Sequence, residues 1–376
     1  MTRSRRIALL GADADFVAEM ADLSVRGLPP GYVDGEFVFT RRGSKAADGS
    51  WRALPEGRSV RYTAIVALGL ATLTASEPAR VREALAGDEL STLVGRLVER
   101  LPGITGVGDV ALICWAAAET GHEGLPEAIR RLAEVDGRDA AAEIATVEAS
   151  WAVAGLAAAR DAGADVAEHY ERARARLLAG IGAGGLYPHV LGTTSPWYRG
   201  HVGCFADQVY PIQALARAGD ADAVAVADRV AAGICAAQGE AGQWWWHYDS
   251  RTGAVVEGYP VYSVHQLAMA PMALLDLADA GGRLWLDEIV LGLRWMHERP
   301  ETDEAMVIPE LDLTWRKAAR EDPKKIVRGA RAAATRLRAG ARLGVLDRVY
   351  PPVAVDRECR PYELGWLLYA WLYGGA

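Results

Sequence analysis

Two kinds of helical pattern alternate along the chain. In one, apolar residues recur on a single face and Arg and Glu fill the other, as in PARVREALAGDELSTLVGRLVER from Pro78 and in the runs 166–178 and 220–237. In the other, one or two polar residues open a run that then stays apolar for about three turns and is rich in Ala and Gly. Six runs are of this second kind: RYTAIVALGLATL from Arg61, GDVALICWAAAE from Gly108, TVEASWAVAGLAA from Thr146, FADQVYPIQALAR from Phe205, SVHQLAMAPMALL from Ser263 and YELGWLLYAWLYG from Tyr362. A helix that is apolar all round has to be buried on every side, whereas an amphipathic one covers a core with one face. An exposed helix precedes each buried one, at 13–24, 78–100, 123–134, 165–180, 220–237 and 283–297. Strict alternation with a loose period of about 40–60 residues is a repeat signal. It predicts an all-α fold, an (α/α)6 toroid of six helical hairpins with the buried helices inside, formed by residues 1–376 as a single domain.

The connections predict where function sits. Links from a buried helix to the next exposed one are short, while several links in the other direction are long and contain strand-like runs. Residues 36–51 read as a β-hairpin before the first buried helix, with Trp51 placed to reach the mouth of the ring. A second strand-like stretch, LYPHV to WYRGH, precedes the fourth. Before the fifth stands GQWWWHYDSRTGAVVEGYPVYSVHQ from Gly242, with 250–253 as its turn. A 300–358 insertion, densely basic over 315–342, precedes the sixth. All the long loops therefore gather on one rim, and long loops on a regular scaffold usually carry function.

Composition narrows the classes. Half of the chain (51%) is hydrophobic and 24% is charged, which suits a globular protein. The net charge of −8 argues against general nucleic-acid binding. Cys114, Cys204, Cys235 and Cys359 form no CxxC pair, so they read as reduced thiols of a cytoplasmic protein, and no apolar run is long enough to span a bilayer. The basic segment reads either as a solvated helix or as a dock for a diphosphate or an anionic membrane surface.

The rim collects the polar residues at the starts of the buried helices. Asp109 has an ordinary explanation as a helix-start acid, and Glu363 as a partner of a nearby arginine. Asp207 and Glu148 lie inside otherwise apolar helices, where an unpaired carboxylate is costly. They are the candidate acid/base pair, with His265 and Tyr62 as further catalytic candidates. Arg61, Asp109, Trp197, His201, Gln208, Trp244, Trp246, His247, Tyr262, Gln266 and Glu363 are candidate substrate-binding residues: flat rings stack on sugar faces, and polar groups bond hydroxyls. His201 and Cys204 make half a zinc donor set, with Cys114 and His265 as candidate completions, but nothing in the spacing demands it. No metal or cofactor is expected.

The repeats and rim hairpins resemble the six-hairpin glycosidase-like toroids, which include glycoside hydrolases, polysaccharide lyases and sugar epimerases. The run from Trp246 to His265 also resembles part of the toroid domain of uronyl C5-epimerases. The resemblance implies a carbohydrate-active enzyme working by general acid/base chemistry on an oligosaccharide, polysaccharide or glycoconjugate. Hydrolysis would use Asp207 and Glu148 as two carboxylates. Lyase or epimerase chemistry would use Tyr62, Tyr262 or His265, with Arg61 on the sugar carboxylate. Two alternatives stand beside it. One is an isoprenoid cyclase with an aromatic wall and the basic insertion on a diphosphate, although the Asp-x-Asp-Asp motif of that class is absent. The other is a non-catalytic sugar- or lipid-binding protein.

Overall fold

The computed structural model describes residues 4–137, 143–192, 198–341 and 343–374. It has the (α/α)6 toroid architecture that the alternating pattern predicts. The inner helices are Val60–Ala71, Val107–Glu119, Thr146–Asp161 and Ala206–Ala218. The fifth opens on a wide turn at His265–Met269 and continues as Ala270–Asp279, and the sixth is Pro361–Leu372. The outer helices are Ala14–Gly27, the pair Pro78–Ala84 and Leu90–Arg100, then Leu125–Val135, Ala167–Ala179, Ala221–Ala236 and Leu286–Glu298. No described helix is long and apolar enough to cross a membrane.

Each inner helix packs on the next, and the sixth packs on the first, which closes the ring. Closure depends on two glycines. A methyl group on Gly69 would fall on the carbonyl oxygen of Gly365, and one on Gly365 would sit 2.8 Å from the Cα of Val66. The first and last inner helices therefore touch backbone to backbone. The second and third do the same at Gly155, whose Cβ would lie 2.6 Å from the Ala111 carbonyl oxygen. Small residues are frequent in these helices because the ring is narrow.

The end of the ring away from the long loops is sealed by a buried polar network. Arg217, at the end of the fourth inner helix, bonds Glu119 at 2.5 Å and the hydroxyls of Tyr369 and Tyr373 at 3.0 Å, with Trp115 under its guanidinium. Arg6 reaches in from the N-terminal segment to Asp276 at 2.6 Å. Cations at helix C-termini complement the macrodipole, and here they also satisfy one another's partners.

At the other rim the loops form short sheets. Thr40–Lys45 pairs with Trp51–Glu56 as the expected hairpin, and Glu358–Cys359 adds a third strand. Trp51 packs edge-on against the buried Trp315, under Arg357. Val202–Cys204, His247–Asp249 and Val255–Glu257 form a second sheet, so the tryptophan-rich stretch is a hairpin with its turn at 250–253. Lys317–Ala319 bridges Val261–Tyr262 and Ala354–Asp356, which ties both ends of the insertion to the rim.

The basic insertion is neither a bare solvated helix nor an open anion dock. Arg316 pairs with Glu363 at 3.2 Å and Lys317 with Asp356 at 2.8 Å. Arg320 and Arg331 both engage Glu257 and Asp347. Much of the positive charge in the sequence is thus neutralised internally, and it pins the helix Ile326–Leu337 onto the strand Val255–Glu257.

Because ring closure rests on a backbone contact, Gly365→Val should lower unfolding free energy by at least the ~1–3 kcal/mol typical of overpacking. Denaturant titration checks this. A variant as stable as the parent would show that the two helices separate at no cost.

Candidate functional site

The floor of the mouth is aromatic. Trp151 meets Tyr210 edge-on at 5.0 Å, and the Trp366 indole N–H donates to the Tyr210 hydroxyl at 2.8 Å. These rings come from the third, fourth and sixth inner helices, so the ring geometry assembles them from distant sequence. Tyr62 stands above them, 4.7 Å from Tyr362 and 5.4 Å from Phe39, with Arg360 donating to its hydroxyl at 2.9 Å. Ser59 caps the helix that carries it by accepting the Tyr62 backbone N–H.

Two charged clusters border this floor. In the first, Arg61 lies over the Trp151 ring and donates to Asp109 at 2.6 Å and to Glu148 at 3.4 Å. All three side chains remain about one-third exposed, at 37%, 29% and 28%. In the second, His189 Nδ1 lies 3.0 Å from Oδ2 of the fully buried Asp207, which also accepts the Cys204 backbone N–H at 2.7 Å. His189 itself is half exposed. Its hydrogen bond to Asp207, helped by the carboxylate's charge, raises the imidazole above its ordinary pKa.

Arginines surround the opening. Tyr262 lies within electrostatic reach of Arg316, Arg328 and Arg360, and of Cys204. Tyr210 feels Arg61 and the same Cys204. These shared neighbours bring the two charged clusters and the insertion to one mouth. Arg328 sits 5.7 Å over the Trp246 ring, and Arg199 lies near His189 and His247. Neither Arg328 nor Arg199 has a carboxylate partner among the described residues.

Several sequence candidates lie deeper than a ligand reaches. His265 is buried between Phe205, Tyr262 and Trp246, the last stacked on it with an interplanar angle of 11°. Burial lowers its pKa to about 3, with Arg316 adding to the effect, so it is neutral at physiological pH and supports the aromatic wall from behind. His247 is buried beside Trp246 and lowered by burial and by Arg328 and Arg199. Trp244 is fully buried against Phe205. Gln208 bonds the backbone of Tyr187 and Cys204, and Gln266 faces the backbone of Gly242 and Trp244, so both hold loops. His201 is buried, 3.0 Å from the Thr335 hydroxyl, and anchors the insertion helix away from Cys204's donor group. Glu363 takes part in capping the sixth inner helix and pairs with Arg316; burial pushes its carboxyl up to about 7. Trp197 lies outside the described residues. Arg61, Tyr62, Asp109, Glu148, Asp207, Trp246 and Tyr262 form or border the mouth.

His189 was not among the sequence candidates. Its partner lies 18 residues on, across a loop, a separation that no motif encodes. The only sequence signal was a histidine in a long rim loop. His189, Cys204 and Asp207 place one donor atom each within 4.8 Å of one another, which is a possible three-donor metal set. The thiol, however, is raised well above its ordinary pKa by burial and by Asp207, so it holds its proton. A hydrogen-bonded triad accounts for all three groups.

No family model and no curated relative matches the sequence. Solved structures match nearly end to end. An unsaturated glucuronyl hydrolase specific for heparin superposes with a TM-score of 0.59 at 12% identity, covering 96% of each chain. A possible GH105 family member from Klebsiella pneumoniae gives 0.58 at 11% identity, covering 95% of this chain and 92% of that one. A sugar epimerase from a ruminal bacterium gives 0.57 at 10% identity, covering 96% and 99%. At these identities the likeness establishes the six-hairpin toroid fold.

The His189–Asp207 contact makes a measurable claim. The carboxylate favours the imidazolium, so replacing it by an amide should move the His189 titration to lower pH. Histidine-resolved NMR of the parent and of Asp207→Asn reads this directly. An unchanged midpoint would show that the two groups do not interact in solution.

Proposed function

We propose that the chain is a carbohydrate-active enzyme that performs acid–base chemistry on a uronate-bearing oligosaccharide. The observation that carries this reading is one rim that brings together an imidazole oriented by a buried carboxylate, aromatic rings, and arginines with no carboxylate partner among the described residues. A histidine hydrogen-bonded to a buried carboxylate that favours its protonated form is suited to give or take a proton. His189 is the proton-transferring group in this reading, and Asp207 is the positioning residue that fixes its orientation and charge.

The remaining groups suit a sugar acid. Trp246, half-buried and backed by the buried Tyr262, offers a face for a pyranose ring, and Arg328 and Arg199 supply cations for its carboxylate. Arg61 is engaged by Asp109 and Glu148, so it orders those two acids rather than taking the substrate carboxylate alone. Asp109 and Glu148 each contribute one oxygen to Arg61, which leaves the other to accept sugar hydroxyls. The fold neighbours are named as glucuronyl hydrolases and as a sugar epimerase, and those names support a carbohydrate substrate. The isoprenoid alternative loses its main support, because the insertion's arginines and lysine nearest the rim pair with Glu257, Asp347, Asp356 and Glu363.

The test offers the purified protein oligosaccharides ending in unsaturated uronate, in saturated uronate and in neutral sugar. Loss of the ultraviolet absorbance of the unsaturated ring reports hydrolysis, and deuterium uptake from D2O reports epimerisation. Turnover is expected in a uronate series and not in the neutral one. His189→Ala should lose on the order of 10²–10⁴-fold in rate, the usual weight of a general acid or base. Arg328→Gln should raise KM with a smaller effect on kcat, as expected for a group that binds charge away from the reacting bond. Equal handling of neutral and acidic sugars, or an unaffected His189→Ala, would overturn the reading.

A further inference from the structure

The three consecutive tryptophans do not share one environment. Trp244 is core, Trp246 belongs to the mouth, and Trp245 is half-buried in a separate cleft of about 1110 Å3. None of the mouth residues lines that cleft. Its walls are the turn of the tryptophan hairpin, the segment after Leu337 and the face of the insertion helix that carries Arg331. One helix thus serves two surfaces: Arg328 faces Trp246 in the mouth, and Arg331, a turn later, faces the cleft.

We infer that this cleft is a second saccharide-binding site, and that it takes uncharged sugar residues. The inference rests on the reading of the chain as a carbohydrate-active protein. Two observations carry it. The first is an aromatic corner: Trp245 and Tyr259 meet at 5.7 Å with an interplanar angle of 73°, and both are partly exposed to the cleft. Trp245 is held rigidly there. A methyl group on Gly239 would lie 2.5 Å from its ring, and one on Gly258 would lie 2.7 Å from it. A platform fixed in advance reduces the ordering cost of stacking a sugar on it.

The second observation is electrostatic. The polar edge of the cleft carries Arg320, Arg331 and Asp347, and the fully buried Glu257 behind it pairs with both arginines, so two cations and two anions are matched. The set carries no net charge, in contrast with Arg328 and Arg199 at the mouth, which have no carboxylate partner among the described residues. Asp347 keeps 48% of its side chain exposed and offers an acceptor beside the rings. Glycines 184, 253, 340 and 344 bring bare backbone to the wall. Fixed aromatic faces, a balanced polar edge and accessible peptide groups suit the faces and hydroxyls of a neutral sugar. Among the described lining residues, a charged one would meet no unpaired charge of opposite sign.

The experiment is ligand-observed NMR or calorimetry with neutral xylo-, cello- and malto-oligosaccharides. The full chain is compared with Trp245→Ala, Val255→Arg, Arg61→Gln and His189→Ala. Val255 lines the cleft and is already 37% exposed, so the arginine fills the cleft without disturbing the core. At least one neutral series should bind saturably, and Trp245→Ala and Val255→Arg should each weaken it at least tenfold. The two mouth variants should leave that binding unchanged. Three results would overturn the inference: no neutral saccharide binds, binding survives both cleft variants, or a mouth variant abolishes it. Failure of the catalytic reading shows separately, as absent turnover of uronates with neutral-sugar binding intact.

Discussion

The backbone contact between the first and last inner helices determines most of what the rest of the molecule can be. A ring of six helices closes only if the end of the chain returns to its beginning, and here Gly365 meets Val66 while Gly69 meets the Gly365 carbonyl. Larger side chains at these points would hold the helices apart and open the ring. Once it closes, the inner helices point their N-termini to one rim and their C-termini to the other. The two ends then have opposite electrostatic needs. The C-terminal end draws cations, and the Arg217 and Arg6 networks meet that need by sealing it. The N-terminal end attracts acids such as Asp109, Glu148, Asp207 and Glu363, and it stays open.

That open end explains how an acidic protein presents a basic mouth. Each acid at a helix start is met by its own partner: Arg61 for Asp109 and Glu148, His189 for Asp207, Arg316 for Glu363. The loops supply further cations, and Arg328 and Arg199 have no carboxylate partner among the described residues. A local excess of positive charge over low-dielectric aromatic walls concentrates anions from solution. It does so independently of the sign of the whole molecule.

The scaffold was legible because burial and exposure leave different periodicities, and six all-apolar runs can be placed only inside something. The rim hairpins were legible because Ser-Arg-Thr-Gly between strand-like runs is a turn. The site was legible only in part. Arg61, Asp109, Glu148 and Asp207 stand at helix starts, and helix starts can be located from the pattern. His189 could not be found that way, since its role comes from an approach across a loop. His265 and Trp244 misled for a related reason: aromatic and imidazole side chains in a rim stretch look functional, but sequence does not say which ones face inward. The insertion misled because its arginines were visible as a block, while Glu257, Asp347, Asp356 and Glu363, which pair with them, are scattered.

The tryptophan run shows how a short segment separates surfaces. In a strand-like segment, neighbouring side chains point to opposite faces. Three bulky rings in a row therefore cannot build one continuous platform. Trp244 turns inward against Phe205, and Trp246 turns to Tyr262 and His265. Trp245, between them, has to point away and finds Tyr259. Glycines on either side of Trp245 make room for a ring that alternation places outside the core. The segment thus works as a partition, with the mouth of the ring on one side and a separate aromatic cleft on the other. The insertion helix extends the same partition outward, with Arg328 toward Trp246 and Arg331, one turn on, toward the cleft.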